Sequence, residues 1–217
     1  MKGSPRTYLI IGCGHFGSQA AKKLFKKDPR SKIIVVDKNE ESIKNISYLP
    51  VETAVSDGIA YLNKFLSQGR RADYIIPAVP FHLAFESILS QLKPLGGKRR
   101  KIPSLSGLPN PMIGRAGDLY TSLADFICSE DCPEPAQYCT FTKKRRMKPL
   151  YRIWSDLEGA FESKAIRSYQ LAPGVGGFQP GALLDLLEDI KRKKKSGWSI
   201  LVSTASRCHG VTSALSF

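Results

Sequence analysis

Residues 8–24 read YLIIGCGHFGSQAAKKL: a short apolar run, glycines at 12, 14 and 17, then Ala20, Ala21 and Leu24 at helical spacing. A lone G-x-G-x-x-G is a weak pattern. Between a strand and an amphipathic helix it specifies the first β-α turn of a nucleotide-binding sheet. Gly12 permits the tight turn, Gly14 leaves room for a pyrophosphate to approach the backbone, and Gly17 lets helix and sheet pack closely. The helix N-terminus then presents unpaired N–H groups and partial positive charge to the phosphates. The second strand, KIIVVD, ends at Asp37, 20 residues after Gly17. A carboxylate there accepts hydrogen bonds from a ribose and repels a 2′-phosphate, which favours NAD(H) over NADP(H).

The pattern that follows extends the same architecture. Strands are expected at 7–11, 32–37, 51–55 and 72–79, alternating with helices at 16–27, 39–46, 58–68 and 81–92. This order predicts an α/β fold: a Rossmann-like doubly wound parallel sheet with right-handed crossovers and a β/α C-terminal extension. A fifth strand is expected near 101–106. The loop 107–111, with two prolines and a glycine, marks the internal boundary, giving a dinucleotide-binding domain over 1–107 and an extension over 108–217 that continues the same sheet or stands beside it. Within the extension a helix is expected at 117–124 and a strand at 124–129. Residues 130–149 are expected to be irregular. A strand at 165–172, a glycine-rich loop at 172–181, a helix at 182–195 and a strand at 198–206 complete the chain.

Here the sequence resembles a family. IIGCGHFGSQAAKKL, IIVVDKNEE and VETAVSDG look like the N-terminal nucleotide-binding domain of potassium-transport regulators of the Trk/RCK (KTN) type, over about the first 80 residues. The resemblance implies NAD(H) as ligand, with Gly12, Gly14, His15, Phe16 and Gly17 against the phosphates, Asp37 on the adenosine ribose and Asp57 near the adenine. It also implies a homodimer. The sequence departs from the family at Ser56, where a glycine is usual, and after Pro80.

The 217 residues carry a net charge of +14, but fifteen of the 33 basic residues fall in three short runs, around 93–101, 143–148 and 191–195. The remainder is close to neutral. Such runs serve as solvated loop and helix ends or as a face for an acidic or protein partner; without interleaved aromatics they argue against nucleic acid. No apolar run is long enough to span a membrane and no secretion signal is evident, so a cytoplasmic location is expected.

Two further constellations bear on function. The fourth strand ends in IIPAVPFH, which places Pro80 and His82 beside the ligand site, and an A-V-P ending resembles that of several Rossmann dehydrogenases. His82 is therefore a candidate acid or base, or else a residue of the next helix's first turn. The five cysteines are Cys13, in the glycine turn, and Cys128, Cys132, Cys139 and Cys208. Four thiols with three clustered suit tetrahedral zinc or an iron–sulfur cluster, a redox switch, or unrelated free cysteines. The glycine-rich loop at 174–181 is an ordinary connection or a ligand-covering loop. Two functions remain: a nucleotide- or redox-responsive regulatory module, or an NAD-dependent oxidoreductase using His82 or a cysteine-bound metal.

Overall fold

The computed structural model describes residues 4–146, 148–157 and 161–217. Met147, inside the segment expected to be irregular, lies outside the described residues. The first eight elements follow the sequence pattern. They are β1 (Thr7–Ile11), α1 (His15–Lys27), β2 (Lys32–Asp37), α2 (Glu40–Lys44), β3 (Glu52–Val55), α3 (Gly58–Ser67), β4 (Tyr74–Pro77) and α4 (Leu83–Leu92). The four strands form one parallel sheet in the order β3-β2-β1-β4. Both faces are covered, and this accounts for the continuous apolar runs. Along β1, Tyr8 and Ile10 pack towards α1 and α2, while Leu9 and Ile11 pack towards α3 and α4. The fold is α/β and Rossmann-like, as the turn implied.

After α4 the chain builds a second sheet and a separate hairpin of β9 and β10. The elements are β5 (Lys98–Arg100), β6 (Met112–Ile113), β7 (Leu119–Ser122), α5 (Leu150–Ser155), β8 (Glu162–Arg167), β9 (Tyr169–Ala172), β10 (Val175–Gly177), α6 (Pro180–Lys193), β11 (Ser199–Ala205) and β12 (His209–Ser216). The strand order is β6-β7-β12-β11-β8, with β5 also paired to β12. Only β8 and β11 run parallel within it; the other pairings are antiparallel.

Helices α4 and α6 lie between the two sheets. Leu83, Phe85, Ile88, Leu187 and Ile190 share one core with Leu9 and Ile75 of the first sheet and with Ile200 and Val202 of the second. On its far side the second sheet packs Leu119, Leu201 and Ala214 against Leu150 and Trp154 of α5. The β9–β10 hairpin reaches back to the first sheet, where Phe178 and Ile75 exchange backbone hydrogen bonds of 2.8 and 2.9 Å along the outer edge of β4.

Several expectations for the second half are corrected. The helix expected at 117–124 is β7: Leu119 and Thr121 are buried while Tyr120 and Ser122 are partly exposed, the alternation of a strand. Residues 124–129 form no strand. The strand expected at 101–106 lies earlier, at β5, because Arg99 pairs with β12 and turns its guanidinium to Asp118. The single strand expected over 165–172 breaks at Ser168 into β8 and β9, and the glycine-rich loop contains β10. The sequence pattern missed β12 altogether.

Candidate functional site

The glycine turn has the geometry its spacing implied. Gly12 has φ 101°, and a Cβ there would lie 2.3 Å from the Ala78 carbonyl oxygen; one on Gly17 would lie 1.9 Å from the Gly12 oxygen. Both positions are closed to any side chain. Gly14 differs, because a Cβ there would meet nothing within 4 Å. As N-cap of α1 it also offers no side chain to the first-turn N–H groups. The helix therefore begins in open space with its donors uncovered by a cap, the arrangement an anion needs.

Asp37 stands at the end of β2 and holds the turn directly. Its Oδ2 accepts the Cys13 N–H at 2.5 Å and its Oδ1 accepts the Asn39 N–H at 2.8 Å. Asp57 is the N-cap of α3, with Oδ1 accepting the Ala60 N–H at 2.9 Å. Cys13 is buried and bonds to the Ser42 carbonyl, and burial pushes its thiol pKa up, so it packs the turn as a protonated thiol. His15 and Phe16 occupy the exposed first turn of α1 with their rings edge to face at 5.2 Å. Pro80 is exposed beyond β4.

The extension docks against this same helix. His15 Nε2 lies 3.0 Å from Glu130 Oε2, and Lys23 Nζ contacts Asp131 Oδ1 at 2.5 Å and the Pro173 carbonyl at 3.1 Å. Lys27 donates to the Leu171 carbonyl. Gly174, at φ 71°, gives its N–H to the Cys132 carbonyl, and any Cβ there would strike the Glu130 carbonyl at 1.6 Å. Sequence reasoning missed Glu130, Asp131 and Lys23. Their partners lie more than a hundred residues away, and no spacing announces them.

Between α1 and the 124–146 segment lies a half-open cavity of about 880 Å³. Phe16 of the glycine turn borders it, together with Phe126, Phe141, Arg146 and His209. The cysteines at 128, 132, 139 and 208 all line it. The structure thus gathers the four candidate thiols at one place, yet among the described residues no three Cys, His, Asp or Glu groups converge closely enough to hold a metal ion. All are free thiols.

Their chemistry differs. Burial pushes Cys208 up to about 11, against the opposing pull of Arg146. Burial, then the neighbouring Cys132 and Cys139, raise Cys128. The pKa of Cys139 is lowered to about 7 by the N–H and hydroxyl of Thr142 and the N–H of Phe141, with help from Arg146. Glu134, held at φ 45°, anchors the far wall by accepting the Ser206 hydroxyl at 2.5 Å and the N–H groups of Arg207 and Cys208.

His82 stands apart from this cavity. It is the N-cap of α4, only 2 % exposed, with Nδ1 2.8 Å from Ser213 Oγ and Nε2 2.9 Å from Thr204 Oγ1. Burial lowers its pKa to about 3, Asp118 raising and Arg99 lowering it further in smaller measure. Both ring nitrogens are occupied in joining α4 to the second sheet. Of the basic runs, 191–193 pairs with Glu188, Asp189 and Glu162 at the end of α6, and Arg145 and Arg146 border the cavity. No helix among the described residues is long and apolar enough to cross a membrane.

Comparison with known proteins matches two stretches of the chain. The TrkA-N domain model matches residues 8–64, and the N-terminal sheet is a Rossmann-type domain resembling that of Trk/RCK regulators. A protein of Archaeoglobus fulgidus, described as uncharacterized, is 27% identical over 224 residues, covering 95% of this chain and 98% of its own. A second family model, AF_1314_C, described as the C-terminal domain of an uncharacterized protein, matches residues 84–217, from α4 through the second sheet, and the chain belongs to that family.

Proposed function

We propose that the protein is an NAD(H)-responsive regulatory module, in which dinucleotide bound at the glycine turn is read by the C-terminal extension. The observation that carries this reading is the shared helix. The N-terminus of α1 points at the open space beside Gly14, and two residues of this helix, His15 in its first turn and Lys23 in its third, are held by Glu130 and Asp131. A pyrophosphate arriving at that N-terminus places negative charge beside Glu130, competes for His15 and so works directly on the contact with the extension.

In this reading Gly12, Gly14, His15, Phe16 and Gly17 surround the phosphates. Asp37, already fixed by the Cys13 and Asn39 N–H groups, takes the adenosine ribose, Asp57 stands at the adenine end, and Pro80 borders the far end of the dinucleotide. An oxidoreductase reading has less support, because His82 is buried with both nitrogens engaged.

Hydrogen exchange with and without NADH tests the regulatory role. Binding should change protection both at residues 12–18 and in the 128–134 segment. Protection confined to the turn, or steady oxidation of NADH by the protein with a carbonyl acceptor, would contradict it.

A further inference from the structure

The regulatory reading leaves four thiols around one cavity without a role. Cys139 differs from the others in its surroundings. It sits at a tight turn in which Lys143, at φ 60°, returns its N–H to the Cys139 carbonyl and the Cys139 N–H bonds to the Lys144 carbonyl. Cys139 is partly exposed and lines the cavity together with Arg146, whereas Cys208 is buried. The donors of Thr142 and Phe141, with Arg146, hold the Cys139 pKa down and favour its thiolate, the form that attacks electrophilic sulfur. Cys128 lines the same cavity.

We propose that Cys139 is a thiol-disulfide exchange site that takes a small-molecule disulfide in the cavity and passes it to Cys128. In the first step the Cys139 thiolate attacks one sulfur of the disulfide; an S–S bond forms between Cys139 and half of the reagent, and the other half leaves as a thiolate that collects a proton from water. In the second, the Cys128 thiol loses its proton and attacks Cys139 Sγ, releasing the second half as a thiol. Two protein thiols are oxidised and one disulfide is reduced to two thiols. The segment closed by this bond contains Glu130 and Asp131, so the product constrains the residues that hold α1. The regulatory consequence rests on the dinucleotide reading; the exchange chemistry stands without it.

The test uses full-length, reduced, nucleotide-free protein and glutathione disulfide. Peptide mapping by mass spectrometry should find glutathione first on Cys139, followed by a Cys128–Cys139 bond. Cys128→Ser should stop at the mixed disulfide, and Cys139→Ser should take up little glutathione. In the wild type, iodoacetamide at pH 7 should label Cys139 at least about tenfold faster than Cys128 or Cys132. Equal labelling of the three, glutathione going first to another cysteine, or stoichiometric zinc or iron with all four thiols inert would overturn the proposal. NADH affinity, measured separately on reduced and oxidised protein, distinguishes failure of the exchange from failure of the dinucleotide reading.

Discussion

At the scale of residues, the three glycines of the turn have separable roles, and substitution exposes them. Gly17→Ala places a methyl group within 1.9 Å of a backbone oxygen, where no rotamer relieves the overlap. It should cost about 2 kcal/mol or more of stability, seen as a lower urea midpoint with unchanged slope. A Cβ on Gly14 would meet no atom within 4 Å, so Gly14→Val should lose chiefly the N-cap preference for glycine, about 1 kcal/mol. Cys139 supplies a second prediction at this scale. The donors of Thr142, then of Phe141, and the cation of Arg146 favour the thiolate, so alkylation of Cys139 should rise with pH around a midpoint of about 7. Thr142→Ala removes the hydroxyl donor and should move that midpoint upward; an unmoved midpoint would show that the hydroxyl does not reach the sulfur.

At the scale of elements, α1 is the member shared by the nucleotide turn and the extension. The His15–Glu130 contact is 3.0 Å long with both side chains about 60 % exposed, so it is worth no more than about 1 kcal/mol. Glu130→Gln frees His15 and removes a negative charge from the neighbourhood of the phosphates. NADH affinity should rise by roughly two- to fivefold, the effect of such an exposed pair, and the gain should shrink in high salt. An unchanged affinity in low salt would place the phosphates away from Glu130.

The same scale explains what the sequence revealed. Strands β1, β2 and β4 are buried on both faces by helices and therefore spell their own identity in Ile, Leu and Val. Strands β7 and β12 bury Thr121, Thr212 and Ser213 instead, satisfied by Trp154 Nε1 on Thr121 at 3.1 Å and Ser203 on Thr212 at 2.7 Å. A core face built of hydrogen-bonded hydroxyls carries no apolar period, so the sequence pattern predicts a helix at β7 and gives no signal for β12. The turn and Asp37 were legible because their chemistry is local. Glu130, Asp131 and Glu134 were not, since each acts on a partner brought to it only by the packing of the second sheet.

At the scale of the whole molecule, two sheets share the α4 and α6 layer, and His82 is one of the pins between them. Neutral His82 joins Ser213 and Thr204; Ser213 donates to Asp118, which pairs with Arg99 at 2.6 Å, and Arg99 in turn reaches Glu86 of α4. The folded pKa, about 3, lies below the ordinary 6.5. The neutral ring's contribution is therefore complete above pH 6.5 and is lost as the pH falls towards 3, by up to about 1.4 kcal/mol per pH unit. His82→Gln keeps hydrogen-bonding groups without that titration. Its stability at pH 7 should be lower than wild type, but the loss between pH 6.5 and 4.5 should be smaller; equal losses in urea melts at the two pH values would exclude His82 as the source.

The central claim is that adenine dinucleotide enters the open space beside Gly14. A fluorescence titration of NADH against the wild-type protein and Gly14→Val, with unfolding midpoints measured in parallel, tests it most directly. The account predicts saturable binding to the wild type and at least about a tenfold weaker Kd in the variant, the effect of a side chain placed against the pyrophosphate, with both proteins folded under the titration conditions. Equal affinity in two folded proteins, or no binding by the wild type, would contradict it.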